Sequence, residues 1–259
     1  MLYQTIRYAV QEGVATITLN RPEVHNAINA LMLQEIQAAV GELQADPAVR
    51  VAVVDSASPR AFSAGIDVAF VKDLSPLESR EVGRLLHETF GAIRFANKPF
   101  ITAIDGLCLG AGLELAISCD LLIATDRSRF GLPNINVGIP AIVEAAILPQ
   151  AVGIVGTKEL CYTGEFWDAA KAERRGLLNA VVPPERLREE VRTWALRIAA
   201  KSPWALATQK EIINQWMTAP LESAIDFSIN TVVLNWLTRD QKEGMGAFLE
   251  KRQARFTGE

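Results

Sequence analysis

The sequence predicts an α/β fold that ends in an all-helical tail, and three observations carry this. Short apolar runs at 51–55, 100–104 and 121–125 read as buried strands. Segments with helical character separate them, so the connections are crossovers of the kind that join parallel strands. After about Pro183 the pattern changes: 184–200, 203–217, 221–237 and 239–254 all read as helices, with no strand between them.

In chain order, residues 5–10 and 14–19 are β-rich runs separated by Gln11-Glu12-Gly13, which predicts a hairpin. Asn20-Arg21-Pro22 ends the second strand. From Asn29 to about Leu43, apolar Leu31, Ile36, Val40 and Leu43 recur at near-helical spacing. The strand at 51–55 follows, then a helix around 79–95, the strand at 100–104, a helix opened by Gly110-Ala111-Gly112, and the strand at 121–125. In the tail, Ser202-Pro203 and Ala219-Pro220 mark helix starts. The chain divides into an α/β core over 1–195 and a helical region over 196–259. That region carries Trp204, Trp216, Trp236 and Phe248, apolar surface that calls for a partner.

The chain has 259 residues, 49% hydrophobic and 22% charged, which excludes a disordered chain and leaves enough apolar mass for a sizeable core. The net charge of −4 provides no basic field for nucleic acid. Three cysteines, Cys108, Cys119 and Cys161, show no Cys-x-x-Cys spacing and read as buried thiols in a reducing compartment. His25 and His87 form no local ligand pair, so no metal site is expected and a Ser-His-Asp hydrolase has little support. The first ten residues hold no apolar signal core, and no run approaches the roughly 18 apolar residues of a membrane span. A soluble, cytoplasmic protein is the expectation.

Three loops can do chemistry. Asp105-Gly-Leu-Cys-Leu-Gly110-Ala-Gly112-Leu-Glu114-Leu115 lacks the third glycine of a dinucleotide fingerprint, and the chain has no Walker A motif. What remains is a strand, a small-residue turn and a helix start with free backbone N–H groups, which suits a carbonyl oxygen that becomes negative. Ala61-Phe-Ser-Ala64-Gly65-Ile66-Asp67 follows the strand at 51–55, and Asp67 can cap a helix. Glu114 lies between two leucines. It is either a buried carboxyl with a raised pKa, fit for general acid–base work, or a first-turn acid stabilised by the helix dipole. The third loop, Phe130 to Ala145, turns helical near Ile142, and Glu144 there reads first as a dipole-favoured acid at a helix start.

Taken together, these segments resemble the crotonase superfamily, the enoyl-CoA hydratase/isomerase family. The match runs through Leu19-Asn-Arg-Pro22, Asn26-Ala27, Ala61-Phe-Ser-Ala-Gly-Ile-Asp67, Gly110-Ala-Gly-Leu-Glu-Leu115 and Phe130-Gly-Leu-Pro133. It continues in Tyr162-Thr-Gly-Glu165, Ala172, Gly176-Leu177 and 243–251, so it covers nearly the whole length. The resemblance implies a spiral of ββα turns binding acyl-CoA, with a helical C-terminal region that forms trimers, often paired into hexamers. It implies fatty acyl metabolism and no cofactor, coenzyme A being part of the substrate. It also implies an oxyanion hole from the backbone N–H groups of Ile66 and Ala111. Ile66 is bulkier than the alanine common there, which narrows the acyl pocket. The coenzyme A is expected along Val24, His25, Ala27, Phe62, Ala64, Ile66 and Asp67. Lys251 of the C-terminal helix is either a phosphate contact, also across a subunit boundary, or a solvated surface lysine.

One departure from the family pattern matters. Hydratases of the family carry two glutamates; Glu114 matches the first, and Asn134 stands where the second follows a proline. An amide holds a water but exchanges no proton near neutrality. Glu144, ten residues on, is the candidate replacement. The leading expectation is hydration of a 2-enoyl-CoA. Isomerisation, thioester hydrolysis and decarboxylation are alternatives on the same scaffold, and a CoA-binding oligomer with little catalysis is an alternative of another class.

Overall fold

In the computed structural model, which describes residues 3–259, β1 (Ile6–Gln11) and β2 (Val14–Leu19) form the predicted antiparallel hairpin, with Ile6 opposite Leu19. Glu12 and Gly13 both take left-handed backbone angles in its two-residue turn, as the twist of such a hairpin requires. Asn29 caps α1 (Ala30–Ala45) by accepting the Met32 N–H at 2.9 Å, and Leu33, Ile36, Val40 and Leu43 form its buried face.

Three turns of one pattern follow. The first is β3 (Val51–Ser56), β4 (Ala61–Ser63), α2 (Val68–Val71) and α3 (Pro76–Arg94). The second is β5 (Phe100–Ile104), β6 (Leu107–Leu109) and α4 (Ala111–Ile117). The third is β7 (Leu121–Thr125), β8 (Arg129–Gly131), two 3-10 turns (Pro133–Val137 and Val143–Ile147) and α5 (Leu148–Thr163). Then come β9 (Trp167–Asp168), α6 (Ala169–Arg174) and β10 (Ala180–Val182). The first strand of each turn enters a six-stranded sheet, in order β1-β2-β3-β5-β7-β10, and the second enters a four-stranded sheet, β4-β6-β8-β9. Among the described residues, only the β1–β2 and β8–β9 pairings are antiparallel. This is the expected spiral of ββα turns. The sequence reading took the small sheet for loops, because strands of two or three residues show no periodicity to read.

Alternate residues of the large sheet serve opposite faces. Ala52, Val54, Phe100 and Ile104 join the main core with Phe62, Cys108 and Phe130 of the small sheet. Val51, Val53, Ile101, Ala103 and Ile123 face the other way, where Val191 and Ala195 of α7 (Leu187–Ala199) cover them. α7 crosses the 195/196 division, and its buried face makes it part of the α/β body.

The tail comprises α8 (Pro203–Trp216), α9 (Leu221–Val232) and α10 (Arg239–Leu249). Buried Lys210 ties α8 to the core, its Nζ donating to the Ile93 carbonyl at 3.0 Å and to Asp120 Oδ2 at 2.8 Å. Three predicted helices need correction. Residues 184–186 and 233–237 are 3-10 turns, and the helix predicted to reach 254 stops at Leu249. Lys251 turns left-handed, at φ 56°, and the chain folds back so that the buried Asp240 carboxylate accepts the Thr257 N–H at 2.8 Å. Cys161 is only half-buried, unlike Cys108 and Cys119. Trp204, Trp216 and Trp236 are each more than half exposed, and Phe248 is 82% exposed. Among the described residues, no helix is long and apolar enough to cross a membrane.

Candidate active site

The site lies where the first and second spiral turns cross. The segment after β4 is stitched to the segment before α1 by a short ladder. Ala64 N–H donates to the His25 carbonyl at 2.9 Å, Ile28 N–H to Gly65 at 2.7 Å, and Asp67 N–H to Ile28 at 2.8 Å. Buried Asn26 braces this ladder, its Nδ2 donating to Ser56 Oγ at 2.8 Å and to the Phe62 carbonyl at 3.0 Å. Two glycines let the segment meet the start of α4. Gly65 has φ +99°, and a Cβ there would stand 2.9 Å from the Leu109 carbonyl oxygen and 3.5 Å from the Ala111 nitrogen. A Cβ on Gly112 would lie 2.6 Å from that of Ser63. The backbone around Ile66 and Ala111 is thereby brought together, and neither N–H has an acceptor among the described residues. Ala111 is the first residue of α4, where backbone donors are left over by the helix geometry and the dipole favours negative charge.

One turn into α4, Glu114 is 2% exposed. Burial pushes its carboxyl from the ordinary 4.5 up to about 8, against the pull of the Ala145, Ile142 and Glu144 backbone amides and with the added repulsion of the Glu144 charge. Glu144 is also 2% exposed, and burial raises it too. His87 of α3 counters that rise, its Nδ1 lying 2.9 Å from Glu144 Oε1, and Arg94 adds to the counterweight. Val143, just before it, has φ +46°, a conformation β-branched residues rarely adopt. Such strain persists where the surroundings impose it and clusters at functional sites. Glu114 Oε2, Glu144 Oε2 and Asn134 Oδ1 are all buried without a hydrogen-bond partner. Asn134 borders the same crossing, since a Cβ on Gly110 would stand 3.3 Å from its Oδ1. Oxygens left unsatisfied in this way are rare and ask for a ligand or water to complete them.

Both acids stand in the first turn of their helical elements, and both are buried there. Asp67 does cap its helix, accepting the Ala69 N–H at 3.1 Å, and it also pairs with Arg21 Nη1 at 2.9 Å. Its carboxylate is thus engaged within the loop. Phe62 is fully buried in the core, so its side chain supports the loop from behind. Val24 is exposed, while His25, Ala27, Ala64 and Ile66 are half-buried along one edge. Lys251 lies beyond the end of α10 rather than in the helix, and it is exposed. His87 and Arg94 were missed. No local motif marks them, and only the packing of α3 against the 143–147 turn brings them to Glu144.

A family profile described as enoyl-CoA hydratase/isomerase matches residues 9–259. The chain is 40% identical over 257 residues to a crotonyl-CoA hydratase of Syntrophomonas wolfei, covering 99% of each chain. It is 35% identical over 245 residues to a short-chain-enoyl-CoA hydratase of Clostridium acetobutylicum, covering 94% of each. Among solved structures, an enoyl-CoA hydratase from Bacillus anthracis superposes with a TM-score of 0.94 at 29% identity, covering 99% of this chain and all of that one.

Proposed function

The chain belongs to the enoyl-CoA hydratase/isomerase family, and from that premise we propose that it hydrates 2-enoyl-CoA thioesters to 3-hydroxyacyl-CoA. The observation that carries the reading is a pair of buried carboxyls at the crossing that also holds two unpaired backbone donors.

In the reaction, Glu144 is the base and Glu114 the acid. Environment separates them: Glu114, at about 8, keeps its proton at neutral pH, while His87 and Arg94 favour the Glu144 anion. Glu144 takes a proton from water as the water oxygen bonds to C3. The C2–C3 π electrons move toward the thioester, whose oxygen gains negative charge against the Ile66 and Ala111 N–H groups. C2 then takes the Glu114 proton. Glu114 is left as the anion and Glu144 as the acid, and transfer of one proton back resets the pair. Asn134 holds the water or a polar substrate group and moves no proton.

Coenzyme A runs along Val24, His25, Ala27, Ala64 and the 62–67 backbone. Backbone groups do most of this work, since Asp67 and Phe62 have their side chains engaged elsewhere. Lys251, exposed past α10, meets a CoA phosphate. The exposed tryptophans of the tail support a trimer or hexamer, the closed assemblies in which such a face is covered. Three free cysteines support a cytoplasmic location.

The test is loss of enoyl absorbance on incubation with crotonyl-CoA, in the wild type and in Glu114→Gln. The variant is expected to lose about 10²–10⁴-fold in turnover, as for other general acid–base groups. Turnover of a 3-enoyl-CoA without turnover of crotonyl-CoA would replace hydration by isomerisation, and no turnover of either would favour a CoA-binding oligomer.

A further inference from the structure

His87 plays no part in the sequence reading of the site, yet it is the side chain that touches Glu144. The pair joins two unlike environments. The Glu144 side chain is 1% exposed and the His87 side chain 59% exposed, with 2.9 Å between Nδ1 and Oε1. With Glu144 ionised, its carboxylate only accepts, and Nδ1 then carries the proton of this bond. The other Glu144 oxygen has no partner. The strained Val143 leads directly into it. One oxygen is thus tethered and the other is free.

We propose that His87 is a positioning residue for the reaction: its Nδ1–H tethers one oxygen of Glu144, keeps that carboxylate charged, and leaves the second oxygen free to meet the attacking water. The inference rests on the reading of Glu144 as the base. An ion held in a dry site needs such a partner, and a charge-assisted hydrogen bond is the stronger kind. The groups facing Glu144 are His87 and Arg94 from α3 and Glu114 from α4, while α5 brings the Cys161 thiol near Glu114. Arg94 remains in any His87 variant, so a change there reports the histidine. Because the ring is open to water, its removal leaves a slot that a small molecule can enter.

The experiment compares His87→Ala, His87→Asn and Glu144→Gln on crotonyl-CoA, with kcat and KM measured from pH 5.5 to 9. Loss of one charge-assisted bond should lower kcat of His87→Ala about 10- to 100-fold and leave KM within about twofold. With burial of Glu144 less opposed, the acid limb of its kcat profile should move up by about 1–2 pH units. Added imidazole should recover part of the rate and move the limb back. His87→Asn, which retains an N–H donor, should lie between the wild type and His87→Ala. Wild-type kcat with an unmoved limb in His87→Ala overturns the inference, as does a slowed variant whose limb stays in place and which imidazole does not rescue. Glu144→Gln separates the two levels. If it is inactive while His87→Ala is normal, only the role of His87 falls. If it turns over normally, the base assignment falls and the role of His87 with it.

Discussion

Replacing Glu114 by glutamine should make the protein more resistant to unfolding as the pH rises. In the folded chain the carboxyl titrates near 8, chiefly because it is buried, against an ordinary 4.5 in the unfolded chain. Below pH 4.5 it is protonated in both states and costs nothing. Between these values the unfolded chain releases the proton and the folded chain keeps it, so the wild type loses about 1.4 kcal/mol of stability per pH unit. Above about 8 both states are ionised and the loss levels at about 5 kcal/mol, of which about 4 kcal/mol falls between pH 5 and 9. Glutamine is close in shape and has no proton to lose, so the variant escapes this term. An unfolding entropy of about 2.1 cal/mol/K per residue gives about 0.54 kcal/mol/K for this chain, so the melting difference should widen by roughly 7 °C from pH 5 to 9, in the variant's favour. Scanning calorimetry of both proteins at pH 5, 7 and 9 reads it directly. A melting difference that is constant or shrinks as pH rises would refute the buried neutral carboxyl.

Other consequences follow from the same geometry. Glu144→Gln should lower kcat on crotonyl-CoA by about 10²–10⁴-fold, whereas Asn134→Ala, which removes only a hydrogen-bonding group, should cost about tenfold or less. If Asn134 proves essential and Glu144 dispensable, the amide is the working group. Gly112→Ala sets a methyl 2.6 Å from the Ser63 Cβ; overpacking of this kind should cost about 1–3 kcal/mol in denaturant unfolding. Light scattering should give a trimer or hexamer, about 85 or 170 kDa from a 28.3 kDa chain; a monomer at micromolar concentration would leave the tail tryptophans unexplained.

Much of the framework was legible because it rests on local signals. The strands at 100–104 and 121–125 match their predicted bounds, since apolar runs buried on both faces leave an unbroken signature. The helix starts read at Asn29 and Ser202-Pro203 are sealed by caps, Asn29 and Ser202 each accepting an N–H three residues on. The small sheet was not legible, since its strands are too short to show a period. The end of α10 was misread as well. Residues 250–254, Glu-Lys-Arg-Gln-Ala, contain no helix breaker, but the fold-back of 255–259 onto buried Asp240 ends the helix first, and that contact spans 17 residues.

The site divides along the same line. Glu114 was legible because it stands in an apolar run one turn after a small-residue turn, and both features act within a few residues. The second carboxyl, Glu144, was legible only as a candidate ten residues beyond Asn134, since no local feature places it beside Glu114. Matching by position finds Asn134 and reports an acid lost, because a motif encodes distance along the chain. The structure brings the chain back over α4 at the 143–147 turn, with Val143 strained and the Glu144 amide itself beside the Glu114 carboxyl. Two buried carboxyls so close cannot share one protonation state at low cost, and something must set which keeps the proton. Here the neighbours do so: burial raises both carboxyls, but at Glu144 a histidine and an arginine from α3 oppose the rise. Neither α3 residue belongs to a motif, and each acts through the packing of one helix on one turn. In the proposed reaction the division of labour between acid and base is therefore a tertiary property, which single-sequence spacing has no means to express.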